Sequence, residues 1–244
     1  MQDFIVLIPS RMESTRLPGK PLKLIGNKTL IQRVYEQALQ SKAKKVLVAT
    51  DSEAIISHCS NNGIDTVLTR RDHLTGSDRL AEAVNNLNLE GDQIVVNVQG
   101  DEPFIDPEDI NNLFDLMEQK SSNMATLFAT LNAKDITNTS VVKLWVNEDG
   151  SVDNFSRKID DKYDINKAKM HLGIYAYRAS FLKQFVKWPQ SERELDTQLE
   201  QMRAMDNKEV IYGRESISNI HLGVDTEEEL ESAREVASSL QNEN

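Results

Sequence analysis

Short runs of consecutive apolar residues alternate along the chain with segments whose apolar positions recur every three to four residues. Phe4-Ile5-Val6-Leu7-Ile8 is apolar throughout, which predicts a strand buried on both faces. From Thr29 to Ser41 the residues Leu30, Ile31, Val34, Ala38 and Leu39 share one helical face, and Thr29 can cap the helix. Lys45–Ala49 predicts the next strand, and Ser52–Asn62 a helix stopped by Gly63. A short strand at Thr66–Leu68, a helix over Ser77–Leu87 and a strand at Ile94–Val98 follow. Pro107 opens a helix that runs to about Gln119.

This β-α alternation predicts an α/β fold with an open, mostly parallel sheet, right-handed crossovers and helices on its faces. Beyond residue 120 the pattern changes. Met124–Thr130, Val141–Val146 and Gly173–Tyr177 read as strands with few helices between the first two, so an antiparallel component is expected there. Helices are expected at 179–186 and 194–206, and a last one near Thr226, where Glu227, Glu228 and Glu229 suit the positive end of the helix dipole. No compositional break divides the chain. The expectation is a single domain over 1–244, with halves at 1–120 and 121–244.

The 244 residues, 39% of them hydrophobic, suffice for one sizeable core. A net charge of -11 disfavours a sequence-independent nucleic-acid binder, although local cation clusters can still hold a small anion. The single cysteine, Cys59, excludes an intramolecular disulfide and fits a reducing cytoplasm. No apolar run approaches the ~18 residues of a membrane span, and Met1-Gln2-Asp3-Phe4 lacks the start of a secretory signal. The expected location is cytoplasmic, without membrane insertion.

Two segments carry candidate chemistry. Pro9-Ser10-Arg11-Met12-Glu13-Ser14-Thr15-Arg16-Leu17-Pro18-Gly19-Lys20-Pro21-Leu22 leaves the end of the first strand, where ligands of open α/β sheets bind. It brings Arg11, Arg16 and Lys20 close together, and Gly19 permits close backbone approach. It has neither Walker A nor Rossmann glycine spacing. On spacing alone a phosphate cradle and a solvated basic loop are about equally good readings. Gln99-Gly100-Asp101-Glu102-Pro103 leaves another buried strand, so Asp101 is either a magnesium ligand or the cap of a turn. Asp225, before the final helix, is either a second magnesium ligand or a helix N-cap. His58 and Cys59 are adjacent on a helix, point about 100° apart and form no dyad; both are expected on a surface helix. No nucleophile elbow or zinc spacing occurs.

Together these segments resemble the 3-deoxy-manno-octulosonate (Kdo) cytidylyltransferases. The likeness runs in order through IPSRMESTRLPGKPL (8–22), VATD (48–51), LTRRDHLTGSDRLAEA (68–83), VVNVQGDEPFI (95–105), MATL (124–127), VVK (141–143), FSR (155–157), HLGIYAYR (171–178), LEQMR (199–203) and GVDTEEEL (223–230). The resemblance implies a nucleotide-diphosphosugar-transferase type of sheet, a homodimer, Mg2+ as cofactor, and transfer of CMP from CTP to Kdo with release of pyrophosphate, for lipopolysaccharide biosynthesis. It implies that 1–120 is the nucleotide-binding half and 121–244 the sugar-acid-binding and dimer half, with Arg11, Lys20 and Asp101 as the catalytic set. Ser10, Arg11, Lys20, Thr69, Ser77, Arg79 and Gln99 would contact the nucleotide. Gln99, Arg157, His171, Tyr175, Glu200 and Gln201 would contact the sugar acid, and Asp101 and Asp225 would hold Mg2+. Residue chemistry also leaves Tyr175 as a core residue and Glu200 as an i,i+3 partner of Arg203.

The chain departs from the family pattern in three places. Ser10 replaces an Ala and Thr197 a Glu. The stretch after FSR, normally longer and bearing Pro, an aromatic and Arg-Asp, reads Lys158-Ile159-Asp160-Asp161-Lys162-Tyr163-Asp164. Lys158 and Lys162 are candidates to replace that Arg. Asp160, Asp161 and Asp164 would suit the ammonium of 8-amino-Kdo, which is one alternative substrate. Another ulosonic acid is a second alternative, and a non-catalytic nucleotide-binding module is the alternative outside this class.

Overall fold

The computed structural model describes residues 3–73, 75–160 and 162–242. The strands are β1 (Phe4–Ser10), β2 (Leu24–Ile25), β3 (Lys28–Thr29), β4 (Lys45–Thr50), β5 (Thr66–Leu68), β6 (Ile94–Asn97), β7 (Met124–Thr130), β8 (Lys143–Val146), β9 (Val152–Ser156), β10 (Lys169–Arg178) and β11 (Ile211–Glu215). The α-helices are α1 (Leu30–Leu39), α2 (Glu53–Asn61), α3 (Gly76–Asn86), α4 (Pro107–Lys120), α5 (Ala179–Phe185), α6 (Glu192–Thr197), α7 (Gln201–Asp206) and α8 (Glu227–Asn242).

Among the described residues, one sheet runs β11-β7-β10-β6-β1-β4-β5, with β8 added to β10 and β9 to β8. Strand β1 is parallel to both β4 and β6, β4 to β5, and β7 to β11. Strand β10 is antiparallel to β6 and to β7. The expected mixed, mostly parallel sheet is therefore present, and β10 is its reversal point.

Alternation along β1 explains why helices cover both faces. Phe4, Val6 and Ile8 join one core with residues of α1, α2, α4 and α8. Ile5 and Leu7 join the opposite core with residues of α3, α5 and α7. Side-chain caps at Thr29, Ser52 and Asp106 start α1, α2 and α4, and Thr75 and Asp78 form a reciprocal capping box on α3.

Several sequence expectations need correction. The helix expected over 194–206 is two short helices. Gln198 takes a left-handed conformation at φ 55° and ends α6, and Arg157 binds the carbonyls of Thr197 and Gln198 at that break. The hairpin of β2 and β3 around Gly26, and strands β9 and β11, were not expected; their apolar content is low and their burial comes from neighbours. Strand β10 starts at Lys169, before the expected Gly173. Leu39, placed on the buried face of α1, is 52% exposed at the helix end. Cys59 is fully buried in the core rather than at the surface, and burial pushes its thiol up to about 11. His58 instead hydrogen-bonds Thr29 Oγ1 from the helix flank.

Candidate nucleotide and sugar-acid site

Three segments converge beyond the carboxyl ends of β1 and β6. The loop after β1 is anchored by buried Leu17, whose carbonyl accepts the Lys20 N–H. Gly19 sits at φ 68°, a conformation a side chain would strain, and turns the chain so that Lys20 faces the sheet end. Gly100 is equally constrained: a Cβ there would lie 2.7 Å from the Pro9 carbonyl oxygen, so the loops after β1 and β6 touch only because this residue is glycine. The third segment arrives from the far end of the sequence, where the Val224 N–H donates to the Asp101 carbonyl at 2.9 Å.

These constraints place both candidate metal-binding carboxylates on one ammonium. Lys20 Nζ donates to Asp101 Oδ2 at 2.8 Å and to Asp225 Oδ1 at 2.7 Å. The two oxygens are thus no farther apart than the sum of those distances. Arg16 pairs with the other Asp225 oxygen at 2.5 Å. Asp225 does not cap α8. Thr226 Oγ1 accepts the Glu229 N–H, and Glu229 returns its carboxylate to the Thr226 and Asp225 N–H groups, so the Asp225 side chain stays directed into the cleft.

Burial alone would lower the Lys20 ammonium, but Asp101 and Asp225 outweigh it and hold it above its usual value. Burial would raise Asp225, but its bonds to Lys20 and the charge of Arg16 keep it below the ordinary carboxylate range. Glu102 lacks such support. Burial, then the charges of Asp101 and Asp225, push its carboxyl up to about 7.

The cleft in front of these groups has a volume of about 380 Å³. Of the residues expected at the nucleotide, Ser10, Arg11, Lys20, Arg79 and Gln99 line it, together with the expected metal ligands Asp101 and Asp225. Thr69 and Ser77 are buried and are not among its lining residues. Arg79 is buried, donates to Thr69 Oγ1 at 2.6 Å and lies 3.3 Å from Asp51, so it braces the wall as well as lining it. Arg16, one of the three cations of the candidate phosphate loop, also lines the cleft, as do His73, Thr75 and Gly76, which were assigned no site role from the sequence. These last three lie in the 68–83 motif, which was the available signal.

The expected sugar-acid residues form an adjoining group around β10. Strand β10 carries an irregularity between Leu172 and Tyr175, and Thr126 Oγ1 lies within hydrogen-bonding distance of the Leu172 and Ile174 carbonyls there. Gln99 Nε2 donates to the Gly173 carbonyl at 3.0 Å, tying this bulge to the nucleotide cleft. His171 Nε2 lies 3.1 Å from Thr126 Oγ1, and burial drives the imidazole down to about 3, so it is neutral at physiological pH. Burial, and then Tyr177 and Glu200, raise the Tyr175 phenol, which keeps it a neutral donor.

Glu200 Oε2 accepts from Ser77 Oγ at 2.7 Å, while Arg203 lies 3.5 Å from Oε1. Burial raises the Glu200 carboxyl against the opposing effects of Ser77, Thr75 and Arg203. The buried atoms Tyr175 Oη, Glu200 Oε1, Gln201 Nε2, Asn97 Oδ1 and Ser10 Oγ have no hydrogen bond of good geometry. Such atoms are costly in a closed core and useful beside a polar ligand.

Arg157 reaches this group, but its guanidinium is engaged by the carbonyls of Thr197, Gln198 and Thr139. Lys158 is exposed, and Lys162 lies 3.9 Å from Asp160 over the Tyr163 ring. Asp164 is used locally, accepting the Asn166 N–H, and Asp161 lies outside the described residues.

A family model described as cytidylyltransferase matches residues 5–217. The 3-deoxy-manno-octulosonate cytidylyltransferase of Pseudomonas fluorescens (strain SBW25) is 43% identical, over 95% of this chain and 96% of that protein. That of Haemophilus influenzae (strain 86-028NP) is 39% identical, over 96% and 98%. The chain belongs to the 3-deoxy-manno-octulosonate cytidylyltransferase family. Among solved structures, a CMP:2-keto-3-deoxy-manno-octonic acid synthetase complexed with CTP superposes with a TM-score of 0.90 at 36% identity, covering 98% of this chain and 99% of that one. A putative glucose-1-phosphate thymidylyltransferase from Bacillus anthracis shares the fold alone, with a TM-score of 0.68 at 14% identity over 97% and 95% of the two chains. The altered stretch after FSR therefore sits within a chain that follows its family over nearly its whole length.

Proposed function

We propose that the chain transfers CMP from CTP to the anomeric hydroxyl of Kdo, giving CMP-Kdo and pyrophosphate for lipopolysaccharide biosynthesis. The observation that carries this reading is the meeting of Asp101 and Asp225 on Lys20 at the mouth of a cleft lined by Arg11 and Arg16. Full-length similarity to enzymes of that name supports the substrate.

Arg11, Arg16 and Lys20 supply positive charge along the triphosphate, and the Gly19 and Gly100 backbone lets it lie close to the sheet end. Positioning and charge neutralisation carry most of such a transfer, so no protein nucleophile is needed. Gln99 lines the cleft and also holds the bulge of β10, so it stands where nucleotide and sugar acid meet. Neutral His171 and Tyr175, with Glu200 and Gln201, offer the donors and acceptors a polyol requires.

Mg2+ is part of the proposal. Asp101 and Asp225 fit it on their donor chemistry, because they are hard carboxylate oxygens close enough to share one cation. Among the described residues no group of three or more His, Cys, Asp or Glu could hold a metal, so phosphate oxygens and water would complete the shell, as Mg2+ favours. A divalent ion held there supplies charge stabilisation on the reacting phosphate. Among the described residues no helix is long and apolar enough to cross a membrane. A homodimer in the cytoplasm completes the reading and follows the family expectation.

The test is pyrophosphate release with CTP and Mg2+ against Kdo, 8-amino-Kdo and a sialic acid in separate reactions. Release with Kdo is expected. Release with another of these acids alone would reassign the sugar, and no release with any of them would reject the reading.

A further inference from the structure

Glu194 and Arg203 form an ion pair away from the cleft. Arg203 donates through Nε to Glu194 Oε2 at 2.7 Å and through Nη2 to Glu194 Oε1 at 2.6 Å. Both side chains are almost completely buried, and the guanidinium lies over the Phe185 ring, 4.7 Å from its centroid. Two parallel bonds fix the plane of the guanidinium, which a single contact would not do. A buried pair of this kind adds little net stability over apolar residues of similar volume, so stability alone does not account for it.

Its position suggests its work. Glu194 is in α6 and Arg203 in α7, on either side of the left-handed turn at Gln198. The segment they enclose presents Glu200 and Gln201. Arg203 Nη2 reaches on to Glu200 Oε1 at 3.5 Å, while Ser77 takes the other oxygen. Arg157 holds the opposite side of the turn through the Thr197 and Gln198 carbonyls. Glu200 Oε1, in ionic contact with Arg203, and Gln201 Nε2 are buried and without hydrogen bonds, an acceptor and a donor carried by the same turn. That combination matches two hydroxyls of a sugar acid, one donating and one accepting.

We propose that the Glu194–Arg203 pair is a clasp across the α6–α7 turn that positions Glu200 and Gln201 to grip hydroxyls of the sugar acid. The inference rests on the reading of Glu200 as a sugar contact. Both clasp residues act through Glu200 and are positioning residues.

The test replaces the pair by Glu194→Leu/Arg203→Met, which keeps volume and removes both charges, beside Arg203→Lys, which keeps the charge and loses the fork. In the double variant KM for Kdo should rise at least about tenfold, with KM for CTP within about twofold of wild type. Arg203→Lys should fall between the two. In a Glu200→Gln background the same double replacement should add less than about twofold, because its effect passes through Glu200. An unchanged KM for Kdo, equal losses for both substrates, or multiplying losses in the Glu200→Gln background would overturn the clasp. A crystal structure of the double variant reads the geometry without turnover: Glu200 should leave Ser77, and its retention there would also overturn the proposal. A displaced Glu200 with wild-type protein inactive on every ulosonic acid would uphold the clasp and reject the assigned reaction. Should the double variant not fold, Glu194→Gln, which keeps the shape and weakens the fork, takes its place with the same readouts and the same overturning results.

Discussion

Replacing Asp101 by Asn separates the chemistry of the cleft from its stability. The substitution keeps an oxygen that can accept from Lys20, and Asp225 still holds that ammonium at 2.7 Å. The Lys20–Asp101 contact is part-exposed, with 28% of the Asp101 side chain accessible, so its loss is screened and costs about 1 kcal/mol or less. Removing the charge also relieves Glu102, which Asp101 crowds electrostatically. The two effects oppose each other, and net stability should stay within about 1 kcal/mol of wild type. Catalysis should respond very differently. One of two carboxylates offered to the divalent ion loses its full charge, and kcat/KM should fall by at least about a thousandfold, or roughly 4 kcal/mol of transition-state stabilisation. Pyrophosphate release across a Mg2+ titration, together with thermal melting in chelator, measures both. Turnover within about tenfold of wild type would refute the metal assignment. A collapse of the melting temperature would show that Asp101 is chiefly a structural residue.

Gly100→Ala should cost about 2 kcal/mol or more, because the added carbon meets the Pro9 carbonyl at 2.7 Å; an unchanged urea midpoint would contradict this. Glu102→Gln should stabilise the metal-free protein at pH 8 by about 2 kcal/mol and have little effect near pH 4. The sign follows from a carboxyl raised in the folded state to about 7: its contribution is full below the ordinary value of 4.5 and is lost as pH rises towards 7. Equal melting shifts at both pH values would exclude that cause. Cys59, with its thiol pushed up to about 11, should resist Ellman's reagent at pH 8 in the folded protein and react fully in guanidinium. Rapid labelling of folded protein would contradict its burial.

The central strands were legible because Phe4–Ile8 is apolar at every position and Ile94–Val98 at all but Asn97, a run that a strand buried on both faces requires. The two acidic positions were legible as candidates because each follows a short apolar stretch. Their meeting was not, since nothing local in GDEP or GVDT records that Val224 bonds to the Asp101 carbonyl. Thr226 decided against a capping role for Asp225, and two adjacent cap-forming residues leave that choice open until the helix start is seen. The break between α6 and α7 was hidden for a similar reason. Gln198 has no local preference for a left-handed turn strong enough to announce it; Arg157 and the Glu194–Arg203 pair, distant in sequence or across the turn, impose it. Strands β9 and β11, with the sequences VDNFS and IYGRE, lack a strong apolar run and take their identity from their partners.

The reversed strand β10 has a consequence for how the chain can be divided. It belongs to the later part of the sequence, yet it is wedged between β6, from the earlier part, and β7. A fragment ending near residue 120 would keep α1 to α4 but lose the residues of α5, α7 and α8 that share the two cores with β1, and it would leave the flank of β6 with open backbone valences, inviting mispairing with other chains. It would also lack the Gly173 carbonyl that steadies Gln99. The candidate phosphate loop of the first twenty residues therefore depends on Asp225 at Lys20 and on Gly173 at Gln99, both from the later part of the chain, and splitting the molecule near residue 120 would disable both portions.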